Sequence, residues 1–397
     1  MKTALFASLV ALCIPVNAQD DAQKSAVVDS RILIPKEQVT SAAVDAAIKK
    51  GVDFLVRIQN EDGSFGSARR TKELNIYAPL PGAHDGYLIG TSGLAISGLI
   101  DSADSRPEVQ AAIDRAEKWA FKKFPELRRA DMTTTYNVWG HAYGLRAISR
   151  LHARAAADPA RQSALRELAQ QQVDLANRYE YVNGGWGYLH MFEELKTQKP
   201  SGITTSFTSA SVLLAMHEAR EKMGVTLDPK VVESSLESIR RQQFPDFTYA
   251  YSHSHRLAPQ GEINRRNGSL GRSQACNAAL RAFDDPKITE KVLTTWADNF
   301  IEFEKWLDYG RKKPVPHEST FKIAGYFYYY GVYYFTVAAR YLPKEKQRQL
   351  APALARILLT RQEKDGSWWD YPLYDYGHAY GTGYALMALG WCRDLIK

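Results

Sequence analysis

Seven of the nine histidines in this chain stand in short, tyrosine-rich polar stretches: His84, His141, His190, His253, His255, His317 and His378. Histidine changes charge near neutral pH and is the commonest metal ligand, so the concentration points to proton transfer or metal binding. Three of the stretches carry a second group able to move a proton. Asp85 follows His84, Tyr136 precedes His141, and Asp375 precedes His378. His84, Asp85, Tyr136, His141, Asp375 and His378 are therefore candidate catalytic groups. Tyr136 or Tyr380 paired with His141 or His378 would act as general acid and base. Asp85 or Asp375 would serve as an acid only where burial raises its pKa. Asn137, Trp139, Arg272, Tyr330, Trp369 and Tyr380 are candidate substrate-binding residues. Their aromatic faces would stack on a sugar or steady a positive charge, and Arg272 would neutralise a uronate. His253 and His255, two residues apart, would point the same way in an extended segment, as ligands of a divalent metal would. A divalent metal is thus a candidate cofactor; the sequence points to no other.

These stretches precede a recurring kind of segment. Segments 86–100, 140–151, 204–216, 270–283, 325–342 and 377–391 have few charges and many Gly, Ala, Ser and Tyr residues. Between them run amphipathic, charge-bearing segments at 41–59, 107–124, 160–179, 228–243, 286–306 and 343–362. A helix apolar on all sides belongs inside and a striped one outside. Six such pairs close into a ring, so the fold class expected is all-α, an α6/α6 toroid of six outer and six inner helices in one domain, 41–397. The polar approaches to the inner helices then meet at one mouth. Gly86 and Gly90, Gly140 and Gly144, and Gly377 and Gly381 are four apart, a spacing that lets another helix or a cavity lie against the backbone. Gly377-His378-Ala379-Tyr380-Gly381 echoes Gly140-His141-Ala142-Tyr143-Gly144.

The outer segments 41–59 and 343–362 end in one phrase. Gln59-Asn-Glu-Asp-Gly-Ser-Phe-Gly66 matches Gln362-Glu-Lys-Asp-Gly-Ser-Trp-Trp369, and Asn183-Gly-Gly-Trp-Gly-Tyr188 is a reduced copy. Asp-Gly supplies a tight turn, because Gly accepts positive φ and Asp bonds its own backbone. The phrase resembles the Gln-Trp-type motifs of the terpenoid cyclase and protein prenyltransferase superfamily, whose repeats are also described as prenyltransferase and squalene oxidase repeats. The resemblance covers 41–397 and implies an α/α toroid. It implies no particular reaction, because the catalytic signatures of those relatives are missing. The cyclases' Asp-x-Asp-Asp acid has only Phe283-Asp-Asp-Pro286 as an echo, at a helix start. Asp375-Tyr-Gly-His378 resembles the stretch carrying the prenyltransferases' zinc-binding histidine, but the accompanying Asp-x-Cys is not found.

Bulk properties narrow the classes further. Residues 1–18 read as a secretory leader: Lys2, an apolar core from Ala4 to Ile14, and a Val16-Asn17-Ala18 cleavage site. Leu12 before Cys13 is too bulky for a lipoprotein signal. The mature chain is thus expected to be secreted or periplasmic, with a polar N-terminal arm at 19–40. Loss of Lys2 would take the net charge of +7 to +6, with no basic cluster, so no nucleic-acid partner is indicated. Cys276 and Cys392 do not make a disulfide framework and read as small buried residues. The uncharged run 323–339 approaches a membrane span in length, but its six tyrosines need polar partners and favour a buried ring or cavity wall, so no integral span is expected after the leader. The expected partner is a small molecule or glycan in a central cavity. Three functions fit: binding or processing of an isoprenoid or related small molecule, a polysaccharide lyase or hydrolase with Tyr/His chemistry, or a non-catalytic binding scaffold.

Overall fold

The computed structural model describes residues 33–73, 82–128, 136–188 and 202–396. The leader, most of the arm and His190 lie outside them. Twelve α-helices occur among the described residues: α1 Ser41–Ile58, α2 Asp85–Asp101, α3 Pro107–Lys123, α4 Asn137–Arg154, α5 Pro159–Arg178, α6 Ser206–Met223, α7 Pro229–Arg240, α8 Arg266–Ala282, α9 Glu290–Gly310, α10 Phe327–Ala339, α11 Lys344–Thr360 and α12 Gly377–Arg393. The even-numbered helices form a closed inner ring. Each packs on the next, and α12 packs back on α2. The odd-numbered helices form the outer layer.

The two layers follow from side-chain patterning. Helix α3 buries Val109, Ala112, Ile113, Ala116, Trp119 and Ala120, one stripe at helical spacing. Helix α12 buries every residue from Gly377 to Cys392 except His378. Close approach of the inner helices needs small residues. A Cβ on Gly86 of α2 would stand 2.7 Å from the Asn137 Cα of α4, and one on Gly383 of α12 would stand 2.5 Å from the Leu94 carbonyl oxygen of α2.

The repeated phrase joins the layers. Gln59 donates to the carbonyls of Gly63 in its own turn and Ala112 in α3; Gln362 donates likewise to Gly366 and to Ala47 of α1. Asp62 and Asp365 each accept from the amide and hydroxyl of the serine two residues on. The next residue's amide, that of Phe65 or Trp368, donates to a hydroxyl on an inner helix, Ser92 or Thr382. A further copy escaped the sequence reading. Gln243-Phe-Pro-Asp246-Phe-Thr-Tyr249 makes the same Asp246–Thr248 bonds, but Phe247 occupies the glycine position at φ 61°.

Some boundaries differ from expectation. Thr289, accepting from the Val292 amide, caps α9, so this helix starts at Glu290 and not at Pro286. Helix α4 starts at Asn137 rather than 140, which puts Trp139 within its first turn. The uncharged run contains α10, 13 residues long. No helix among the described residues is long and apolar enough to cross a membrane. The described end of the arm lies on α11, where the Ile34 amide donates to Thr360 Oγ1 at 3.0 Å.

Ala103, exposed and just past the C-terminus of α2, has φ 55°. Gly224 does the same work after α6 at φ 68°. Left-handed backbone strains a residue with a Cβ by about 1 kcal/mol. Ala103→Gly should therefore raise stability by about 0.5–1 kcal/mol in urea unfolding. A loss of stability would contradict that reading of the cap.

Candidate functional site

The N-terminal halves of α2, α4, α6, α10 and α12, with approach residues such as Tyr188, His317 and Tyr371, enclose a cavity of about 370 Å³. Along α2 its wall runs from Gly86 to Leu94, about 12 Å of helix. Twelve of the nineteen described lining residues are aromatic, and none is Asp, Glu, Lys or Arg. The rings hold one another in place. Tyr87 stacks on Tyr376 at 5.5 Å and Trp139 stacks on Tyr143 at 5.6 Å, while Tyr330 meets Trp139 edge-on at 6.3 Å. Tyr330 also donates to the Phe207 carbonyl at 3.1 Å, which fixes its ring on the wall. One turn beyond Tyr143 along α4, buried Arg146 lies against the rings of Tyr333 and Tyr334 and pairs with Glu218 at 2.8 Å, filling the ring past the cavity floor.

One carboxyl reaches the wall through an intermediary. Asp370, fully buried, follows the Trp368-Trp369 turn. Its Oδ1 accepts from the Tyr380 hydroxyl at 2.6 Å and its Oδ2 from the Tyr329 amide at 2.9 Å, and Tyr380 lines the cavity. Burial pushes the Asp370 carboxyl up to about 7, against the lowering pull of Tyr380, the Tyr329 amide and Arg311. Near neutral pH Asp370 is thus divided between acid and carboxylate. As an acid it can turn the hydrogen bond around and donate to the Tyr380 oxygen. Tyr380 then directs its own proton into the cavity. Burial holds the Tyr380 phenol well above its usual range, so a proton leaves it only as another arrives.

A second pair stands where the approach to α10 meets the wall. The Tyr326 hydroxyl is 3.1 Å from His317 Nε2, and His317 Nδ1 is 2.7 Å from the Lys322 carbonyl oxygen. A carbonyl only accepts, so in the neutral ring Nδ1 carries the hydrogen and Nε2 presents its lone pair to Tyr326. Burial, together with the positive charges of Arg272 and Lys322, lowers the His317 pKa and favours that neutral form. Behind this wall Arg272 lies between the rings of Tyr251 and Phe327, at 5.4 and 5.6 Å. It donates to the carbonyls of Gly268, Tyr249 and Ile263, and burial lowers its pKa to about 10. Tyr251 in turn shares a short hydrogen bond with Tyr188 of the wall.

The structure brings together only part of the expected site. Tyr136, Trp139, Tyr330 and Tyr380 line the cavity. Arg272 stands one layer behind it. His84 is half-buried behind Tyr87 and Tyr376, with Nδ1 3.3 Å from the Tyr376 hydroxyl. The others are elsewhere. Asp85 pairs with Lys123 at 3.2 Å, and Asn137 donates to the Arg128 carbonyl at 2.7 Å. His141 faces outward, bonded to Gln172 of α5 at 3.0 Å, with its pKa lowered to about 4 by burial. Asp375 is exposed, with Ser67 as its hydroxyl partner at 3.3 Å. His378 is exposed and stacks on Trp369 at 5.0 Å, and Lys312 lies over the Trp369 ring at 4.5 Å. The extended register expected of His253 and His255 does not form, because Ser254–Leu257 is a 3-10 turn; His255 bonds Ser252 at 2.7 Å. Among the described residues no three or more His, Cys, Asp or Glu side chains are grouped to hold a metal. Cys276 and Cys392 are buried and unpaired.

Asp370, Tyr326, Tyr143 and Tyr384 were missed as site residues. Asp370 did leave a signal: it is a lone carboxylate within the aromatic run Trp368-Trp-Asp-Tyr371.

No protein-family model and no curated protein sequence matches the chain. Solved structures do. A cellobiose 2-epimerase from Spirochaeta thermophila is similar at TM-score 0.57 and 14% identity, over 90% of this chain and 97% of that one. A family 76 glycoside hydrolase from a bovine Bacteroides thetaiotaomicron strain is similar at TM-score 0.53 and 13% identity, over 88% and 78%. A type II terpene cyclase from Scytonema aligns at TM-score 0.49 and 13% identity, over 90% and 99%. Identities this low speak to architecture alone, and the epimerase and glycoside hydrolase likenesses, with the closed inner ring of even-numbered helices, identify the chain as an α/α toroid.

Proposed function

We propose that this toroid binds and processes an isoprenoid or a related, largely apolar small molecule in its aromatic cavity, with Asp370 supplying a proton through Tyr380. The observation that carries this reading is the wall itself: twelve aromatic side chains with no charged group among the described lining residues. Desolvating a hydroxyl-rich sugar there would leave many polar groups to satisfy, whereas an apolar chain gains from burial against the rings. Aromatic faces also steady positive charge developing on a ligand. The volume falls at the lower end of small-ligand pockets, which start at about 300 Å³. Tyr136, Trp139 and Tyr330 would hold the ligand, and the 1–18 leader favours a periplasmic or secreted setting.

The alternative is a glycan ligand. Hydrolysis of a glycosidic bond calls for two carboxyl groups flanking it, and the described wall offers only Asp370, at one remove. Isothermal titration and thermal unfolding with farnesol and geranylgeraniol, set beside cellobiose and mannotriose, decide between them. A ligand at a hundredfold excess over its Kd should stabilise the protein by about 2.7 kcal/mol. Binding of the sugars without the isoprenoid alcohols would overturn the reading.

A further inference from the structure

The Asp370–Tyr380 pair accounts for a proton going into the cavity but not for one coming out. We infer that His317 and Tyr326 form the proton-accepting couple of the same site, acting on an apolar ketone or aldehyde whose carbonyl oxygen faces Tyr380. This rests on the cavity being the ligand site.

Geometry carries the assignment. Both residues line the cavity, and both are half-buried where the chain enters α10. The Lys322 carbonyl holds Nδ1–H at 2.7 Å and thereby aims the Nε2 lone pair at the Tyr326 hydroxyl 3.1 Å away. A nucleophile or base oriented by a hydrogen-bonded histidine, itself oriented by a third group, is the general form of an activated catalytic pair. The buried Arg272 adds positive potential without contributing a proton, since its guanidinium bonds main-chain carbonyls. Burial and the neighbouring tyrosines hold the Tyr326 phenol well above its usual range, so it passes its proton to His317 only as it takes one from the ligand.

The step balances with no further reactant. A C–H bond next to the ligand's carbonyl breaks. Its proton passes to the Tyr326 oxygen as the Tyr326 phenol proton passes to His317 Nε2. The electron pair of the broken bond becomes a C=C bond, and the carbonyl π pair moves to oxygen, which takes the Tyr380 proton while Tyr380 takes that of Asp370. The products are an enol, an Asp370 carboxylate and a His317 imidazolium. Return of a proton from His317 through Tyr326 to the same or a conjugated carbon, as the enol O–H proton returns through Tyr380 to Asp370, regenerates the carbonyl and resets both pairs. The reaction class is therefore proton exchange or double-bond isomerisation, with no net oxidation.

Geranylacetone, an isoprenoid ketone, is the probe. It is incubated with the protein in D2O, deuterium uptake is followed by mass spectrometry, and its Kd is measured by fluorescence quenching. The wild type should incorporate deuterium beside the carbonyl faster than buffer alone. Tyr326→Phe and His317→Gln should each slow this by at least about a hundredfold, the lower range for loss of a general base, at unchanged Kd. Binding without wild-type exchange, or exchange that survives both substitutions, overturns the couple and leaves the cavity reading intact. Loss of binding in both variants makes the pair a structural clasp and equally overturns it. Failure of the wild type to bind geranylacetone removes the cavity reading, and this inference falls with it.

Discussion

Replacing Asp370 by Asn should leave a folded protein that binds its ligand and no longer turns it over, with a rate loss of about a hundred- to ten-thousandfold. The Asn side chain copies the protonated acid. Its amide can donate to the Tyr380 oxygen and its carbonyl can accept from the Tyr329 amide, the two groups that Asp370 now meets at 2.6 and 2.9 Å. It has no proton to pass on. The same substitution should alter how stability depends on pH. Burial raises the folded-state pKa of Asp370 from the ordinary 3.8 to about 7. Between those values the unfolded chain has released this proton while the folded chain still holds it. Stability must therefore fall as pH rises through that window and level off above about 7, the reverse of an ion-paired carboxylate. At about 1.4 kcal/mol per unit, the full contribution is on the order of 4 kcal/mol. Urea unfolding of wild type and Asp370→Asn at a series of pH values from 4 to 8 checks this. The wild type should lose stability relative to the variant as pH rises. Parallel curves would mean that Asp370 is an ordinary carboxylate and has no place in the site.

Helix periodicity explains why the fold was legible and the site only half so. Alternation of striped and all-apolar segments fixes which helices lie inside, and both kinds are plain in the sequence: α3 buries one stripe and α12 nearly every residue. Which side of an inner helix faces the cavity is a finer question. Two residues apart on a helix means about 200° around it. In both copies of Gly-His-Ala-Tyr-Gly the tyrosine, Tyr143 or Tyr380, points to the cavity, so the histidine, His141 or His378, must point away. Starting the second inner segment at 140 rather than 137 hid that relation, because Trp139 and Tyr143, one turn apart, were not seen as one face. Asp375 and Asp370 differ for another reason. Which carboxyl is buried depends on how the approach to α12 folds back against α10, where Gly325 packs so closely that a Cβ would stand 2.4 Å from the Asp370 carbonyl oxygen. No local pattern encodes that contact. The fourth turn phrase was hidden by Phe247, a bulky residue at a glycine position, held there because the Asp246–Thr248 bonds and packing against the core outweigh the strain.

Ring closure should depend most on Trp368. It has no solvent exposure, and its indole N–H donates to the Leu358 carbonyl of α11 at 2.9 Å while its amide donates to Thr382 of α12 at 3.0 Å. Its ring also fills the space above Gly51 of α1, where a Cβ would stand 2.7 Å from the indole. One side chain thus ties α11, α12 and α1 at the seam where the last outer–inner pair meets the first helix of the chain. Trp368→Ala removes the ring, leaves a cavity the backbone cannot close, and takes away one of the two donors to the Leu358 carbonyl, which keeps the Arg361 amide, so the loss should be about 4 kcal/mol, mostly from the cavity. Against a total of about 5–15 kcal/mol for a folded protein that is a large fraction, and Tm should drop by roughly 10 °C. Trp369→Ala is the internal control. One residue further on, Trp369 is only partly buried and stacks on exposed His378, so its truncation should change stability far less. Because Asp370 follows directly, the two substitutions also separate architecture from chemistry. Trp368→Ala should lower Tm and loosen the Asp370–Tyr380 contact together, whereas Asp370→Asn should remove turnover with the ring intact. A Trp368→Ala protein that melts within about a degree of wild type would show that the seam is held by the backbone of the turn and not by the tryptophan.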